Sequence, residues 1–196
     1  MTSQETVKTL CDVGIIPVVR AKSADVLVDL SKALIAGGVP VAEVTMTVPG
    51  AIDGIRRLVK TFGKDLLVGV GSVTRAEQAE EAADAGAEFI VGPVLVPEVI
   101  QAARNRGKAV IPGAFTPTEI FQAHQLGADV IRVFPASVGG PEARARPVFL
   151  WTRPDRQTIR DRVSVRGGKP ACRAIHGGGP CETAILGSWA AWPQSS

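Results

Sequence analysis

The stretch GIIPVVRAKS, residues 14–23, joins a β-rich apolar run to the start of a helix. Ser23 is a fair N-cap for ADVLVDLSKALIAG, residues 24–37, so the segment reads as strand, short loop, helix. Two architectures begin this way. A dinucleotide-binding, doubly wound sheet would place G-x-G-x-x-G after its first strand, because glycines let a pyrophosphate approach the backbone. This strand runs instead into Arg20-Ala-Lys-Ser and carries no such glycines. The other architecture is the (β/α)8 barrel, which gathers polar residues at the C-terminal ends of its strands. Arg20 is the first of a series in that position.

The same beat continues down the chain. Strands are predicted at Gly14–Arg20, Val41–Thr47, Leu66–Val73, Glu88–Val91, Ala109–Pro112 and Val130–Phe134, with centres roughly every 21 to 27 residues. That spacing leaves room for one helix between strands, so the strands must run parallel. Thr74-Arg-Ala-Glu77 and Thr116-Pro-Thr-Glu119 read as capping boxes, the second with proline at the first helical position. Gly37, Gly86, Gly107 and Gly127 each stand just ahead of a strand, where a left-handed helix end is expected. Polar residues then collect at the strand ends: Arg20, Glu43 with Thr45 and Thr47, Ser72, and Arg132. The expected fold is α/β, a (β/α)8 TIM-type barrel, with residues Thr2–Val13 as a helix closing its bottom.

Composition narrows the function classes. Residues 1–140 carry 13 Lys+Arg against 15 Asp+Glu, while residues 141–196 carry 9 against 4. The overall charge of +3 therefore belongs to the tail, and the main body has no nucleic-acid footprint. The start MTSQETVKTLCDVG lacks the basic and apolar regions of a signal peptide, and no apolar run approaches membrane-spanning length. A cytoplasmic location is expected, with no membrane partner. Cys11, Cys172 and Cys181 are spaced unlike a zinc site, and His124 and His176 are the two histidines. A metal site or a histidine-based triad is not expected.

After Gly140 the rhythm stops. Residues 141–196 hold all three tryptophans and eight of the fifteen arginines, without clear strand–helix alternation. Residues 1–140 are taken as the barrel body and 141–196 as an aberrant C-terminal segment in place of the closing βα units. Strands 7 and 8 are expected to be diverged, incomplete or disordered, with Arg162–Val165 and Ala184–Leu186 as short candidates. A diverged tail or a coding-frame disruption near residue 141 would account for the change, and the second is preferred.

Three rim segments can carry chemistry. Glu43 alternates with valine neighbours and should point into the barrel near its mouth, as a salt-bridged rim carboxylate or as a general acid/base tuned by a dry pocket. Gly69-Val-Gly71-Ser72 has little bulk, which suits either close ligand approach or tight barrel packing. Residues 112–119, PGAFTPTE, place a capped helix N-terminus after a strand.

Taken in order, GIIPVVRAKS, ALIAGGVPVAEVTMTVPGAI, VGVGSV, AVIPGAFTPTEI and GADVIRVFPA resemble the 2-keto-3-deoxy-6-phosphogluconate (KDPG) and 4-hydroxy-2-oxoglutarate (KHG) aldolase family, over about residues 12–140. The resemblance implies a (β/α)8 barrel, usually a homotrimer, that cleaves its substrate without metal or other cofactor through a lysine Schiff base. The products would be pyruvate with glyceraldehyde 3-phosphate, or pyruvate with glyoxylate. By position, Glu43 matches the proton-shuttling glutamate. Ser72 stands where a threonine contacts the substrate carboxylate end. Thr47 stands where many members have arginine, so anion binding would fall to Arg20, and Phe134 would wall the pocket.

Arg132 departs from the pattern. It occupies the place of the Schiff-base lysine in Lys-Val/Phe-Phe-Pro-Ala. A desolvated lysine can lose its proton and attack a ketone, whereas a guanidinium stays protonated and its nitrogen electrons are delocalised. Beside Glu43 it is expected to form an ion pair that lowers the carboxyl pKa. The late motifs survive only as Arg166-Gly167-Gly168 and Gly187-Ser188; by the resemblance Gly167, Gly168 and Ser188 would bind substrate, the Gly-Ser its phosphate, while His176-Gly-Gly-Gly179 is a weak loop signal. The expectation is a family member of impaired activity, with Lys22 as the nearest substitute amine. A catalytically silent binder of a keto acid or sugar phosphate is the alternative, and a chain too incomplete to fold stably is the third reading.

Overall fold

A computed structural model describes residues 1–135. Strands β1 (Val18–Val19), β2 (Val41–Thr45), β3 (Leu67–Gly71), β4 (Phe89–Val91) and β5 (Ala109–Ile111) pair in that order, all parallel. A further parallel pair joins β6 (Gly113–Ala114) to β7 (Arg132–Val133). From β1 to β5, each strand therefore lies beside the next one in the chain. A doubly wound sheet would reverse its order beside the first strand, and no reversal occurs here. The fold is the (β/α)8 TIM-type arrangement, six of whose strand positions fall within the described residues. The boundary at residues 140–141, both candidate late strands and the His176 loop lie outside them.

Pro112 explains why the fifth barrel strand registers as two pieces. It has no N–H to donate, so the ladder breaks between β5 and β6. Below the break β5 pairs with β4, and above it β6 pairs with β7. The Pro112 carbonyl still accepts the Arg132 N–H at 3.1 Å, and the Phe134 N–H reaches the Ala114 carbonyl at 3.1 Å. Asp129 adds a side-chain clamp, accepting the Val110 N–H at 3.0 Å in a buried position.

Strands β2 to β5 are buried on both faces, as parallel strands between helices must be, whereas Val18 on β1 is exposed and β7 is half-buried. Outward residues such as Ala42, Val44, Val68, Val70, Ile90 and Val110 pack beneath the helices. Inward residues Val41, Leu67, Phe89, Val91, Ala109, Ile111 and Val130 fill the lower barrel, where Phe89 is fully buried. Burying a phenylalanine of this kind contributes roughly 1.5–3 kcal/mol. Helix α1 (Ser3–Val13) seals this layer with Val7 and Leu10, which fulfils the expectation of a closing helix. Its start is fixed by a Thr2–Glu5 capping box.

Several local expectations shift. The first strand is shorter than Gly14–Arg20, because Gly14 adopts φ 74° to end α1 and Pro17 cannot donate to a ladder. Strand β2 ends at Thr45 because the Val48 N–H turns back to the Thr45 carbonyl. Ser23 leads into a single 3-10 turn (Ala24–Val26) before α2 (Leu27–Ala36) and makes no side-chain cap bond. Helices α3 (Ala51–Phe62) and α5 (Pro97–Asn105) follow β2 and β4. Helix α4 (Ala76–Asp84) is not capped by Thr74: its N-cap is Arg75, and Gln78 reaches back to accept the Thr74 N–H at 3.0 Å. The capping box at Thr116 forms as expected and starts α6 (Pro117–Gln125). Gly86, Gly107 and Gly127 are left-handed, but after α2 that conformation falls on Gly38 rather than Gly37.

Candidate functional site

Strand β2 sets the acid. Val41, Glu43 and Thr45 share the face opposite Ala42 and Val44, so the alternation that buries two aliphatics outward turns a carboxylate inward. The Glu43 Cα is level with Gly69 on β3, but its side chain leans toward the mouth and lies over Gly71. A Cβ on Gly71 would stand 1.9 Å from Glu43 Oε1. Gly69 is equally full: a Cβ there would meet the Phe89 ring at 2.3 Å. Both glycines thus serve close packing, one against a ring and the other against the Glu43 carboxylate.

Strand β7 brings the cation. Arg132 Nη1 lies 4.0 Å from Glu43 Oε1, with the arginine side chain 28% exposed and the glutamate 4% exposed. The Arg132 guanidinium carbon sits 4.8 Å from the centroid of the Phe134 ring, in the range of a cation–π contact. The two charges face one another across the barrel mouth, as the sequence required.

Arg132 lowers the Glu43 pKa as expected, but the net shift runs the other way. Burial pushes the Glu43 carboxyl above its ordinary range, and the opposing pull of Arg132, then Arg20, does not overcome it. The expected lowering assumed a close ion pair. At 4.0 Å the guanidinium is beyond hydrogen-bond reach, so its pull on the carboxylate is weaker than that of a close ion pair.

The remaining expected residues are arranged unevenly. Arg20 is exposed just past β1 and acts on Glu43 through its field. Thr47 is exposed beyond β2, its hydroxyl 2.6 Å from that of the fully buried Thr45. It borders a shallow depression of about 370 Å³ formed by residues 46–53, whose lining includes neither Glu43 nor Arg132. Ser72 follows Gly71 with φ 61°, a left-handed conformation that no other non-glycine adopts among the described residues. Strain of that kind often accompanies function. Phe134 is 41% exposed at the rim. Gly167, Gly168 and Ser188 lie outside the described residues.

Thr45 and Gly71, named above only as parts of rim segments and given no role of their own, join the constellation. Their signal was present: Thr45 is two residues from Glu43 on the same face, and Gly71 is its partner in register. Among the described residues no three His, Cys, Asp or Glu side chains gather to hold a metal ion. No helix there is long and apolar enough to cross a membrane.

Comparison with known proteins gives a consistent outcome. The family model for KDPG and KHG aldolase matches residues 7–145. The chain is 37% identical over 131 residues to a 2-dehydro-3-deoxy-phosphogluconate aldolase of Treponema pallidum, covering 67% of this chain and 62% of that protein. It is 35% identical over 139 residues to the KHG/KDPG aldolase of Escherichia coli K12, covering 71% and 64% respectively. The match thus spans less than two-thirds of either relative's length. Among solved structures, the KDPG aldolase of Legionella pneumophila, with pyruvate captured as a covalent carbinolamine, superposes with a TM-score of 0.65 at 31% identity, over 71% of this chain and 68% of that one.

Proposed function

The chain belongs to the KDPG and KHG aldolase family, and from that premise we propose that it is a class I aldolase by descent whose Schiff-base step is impaired. In this reading Glu43 is the proton carrier of a carbon–carbon lyase acting on KDPG, KHG or both, and Arg132 occupies the nucleophile's place without its chemistry. The observation that carries the reading is the buried Glu43 carboxylate 4.0 Å from the Arg132 guanidinium, on strands that converge at one barrel mouth. Arg20 and Ser72 would take the anionic groups of the substrate, and Phe134 would wall the pocket. Thr47 would add a hydroxyl. Gly167, Gly168 and Ser188 would bind substrate, with Ser188 at its phosphate. The barrel body is assigned to residues 1–140 and an aberrant segment to 141–196. A cytoplasmic homotrimer is the proposed state, checked by fractionation and by sedimentation of the purified chain.

Borohydride reduction in the presence of pyruvate tests the central claim. The chain should yield no lysine adduct, whereas Arg132→Lys should yield one at position 132. A stable adduct on any lysine of the unaltered chain, Lys22 first among them, overturns the proposal. The partial exposure of Arg132 also favours a second reading, a binding protein for keto acids or sugar phosphates. Thermal stabilisation by such a ligand without pyruvate release would select it.

A further inference from the structure

We infer that Glu43 and Arg132 form a non-covalent enolising site, in which the guanidinium holds the carbonyl oxygen of a 2-oxo acid while the carboxylate moves a proton at C3. The choice of a 2-oxo acid rests on the function proposed above; the chemistry rests on the two side chains. Enolisation needs a base at the α-carbon and a donor at the oxygen where charge develops. Arginine fails as a nucleophile, yet it offers five N–H donors and keeps its charge at any ordinary pH. Its Nη1 and the Glu43 Oε1 are 4.0 Å apart, a gap that a carbonyl oxygen and the carbon two bonds from it can bridge.

The surroundings favour this use. Glu43 is held from below by the Gly71 notch and is nearly sealed from water, so it is a base of tuned strength rather than a solvated anion. Arg132 is the more exposed partner, so a ligand entering from the mouth meets the cation first. The Phe134 ring beneath the guanidinium carbon restrains its plane.

The step balances without any co-reactant. The C3–H bond breaks and its proton passes to a Glu43 oxygen. The bonding pair forms a C2=C3 double bond, and the carbonyl π pair moves to the oxygen held by Arg132. In deuterated water the Glu43 proton exchanges with solvent, and reversal leaves deuterium at C3.

Proton NMR of pyruvate with the full chain in deuterated water reads the reaction as loss of the methyl signal. Exchange should exceed the buffer rate and rise with pH through the ionisation of Glu43. Glu43→Gln, which preserves shape, should lower it by roughly 10²–10⁴-fold, and Arg132→Met by roughly 10²-fold or more. The pH profile of the unaltered chain carries the test should Arg132→Met not fold. Parallel borohydride treatment separates the two proposals. No exchange and no adduct overturns enolisation alone; exchange with an adduct overturns both; exchange unchanged in Glu43→Gln overturns the assignment of the base.

Discussion

Two layers of the same barrel, one residue pair apart, are built by the same device for different ends. In the lower layer Gly69 yields its side-chain space to Phe89; in the upper layer Gly71 yields its space to Glu43. Both glycines lie on β3 and face inward, and both neighbours are almost fully buried. The lower exchange gains apolar burial. The upper exchange costs solvation of a carboxylate and raises its pKa. One layer packs a ring and the next a buried carboxylate, both against glycines of the same strand.

The largest expected effect breaks the lower layer. Phe89→Ala should destabilise the chain by about 3–5 kcal/mol, read as a lower urea midpoint, because the ring fills the barrel interior and its neighbours cannot collapse fully. The glycines sharpen the comparison. Gly69→Ala and Gly71→Ala should each cost roughly 1–3 kcal/mol by overpacking, so melts alone will not tell them apart. Titration of Glu43, followed by carbon NMR of its carboxyl, will. Gly71→Ala should displace the carboxylate toward water and return its pKa toward the ordinary range. Gly69→Ala should leave it raised. Equal titration in both variants would show that the notch at Gly71 does not set the chemistry.

The pH dependence of stability follows from the same carboxylate. Its pKa is higher in the folded chain than in the unfolded one, so the folded state keeps the proton to higher pH. That contribution is fully present below the ordinary carboxylate range and is lost as pH rises through the raised folded value. Glu43→Gln cannot ionise and should remove this part of the slope. Glu5 and Glu119 act in reverse: backbone N–H donors hold both below the ordinary range, so their contribution is lost as pH falls through those lowered values.

Most of the barrel was legible because local signals repeat. Alternation on β2 predicted an inward Glu43, strand spacing predicted parallel pairing, and Arg132 was recognisable as a charge at a strand end. What was not legible depended on distance. The sign of the Glu43 shift turns on whether burial outweighs the pull of Arg132 and Arg20, and pattern carries no such measure. Gly69 and Gly71 were equally ambiguous between ligand approach and packing, since a glycine does not record which neighbour fills its space. The break at Pro112 was readable in principle, because a missing N–H must interrupt a ladder somewhere.

The smallest expected effects lie at two threonines that look alike in sequence. Thr116 and Thr74 both precede a glutamate by three residues, and both were expected to cap. Only Thr116 does. The Glu119 N–H donates to its hydroxyl at 3.3 Å, while the Glu119 carboxylate accepts from Thr116 and Phe115 N–H groups, each at 2.8 Å. At Thr74 the backbone N–H is taken by Gln78, and the helix starts one residue later, so the threonine hydroxyl has no cap to make. Thr116→Ala should therefore cost about 1 kcal/mol and shift Glu119 back toward its ordinary titration. Thr74→Ala should stay within about 0.5 kcal/mol of the unaltered chain. Equal losses at the two positions would mean that α4 is capped by Thr74 in solution. The hydrogen bonds at its start would then have to be exchanged for those of a second capping box.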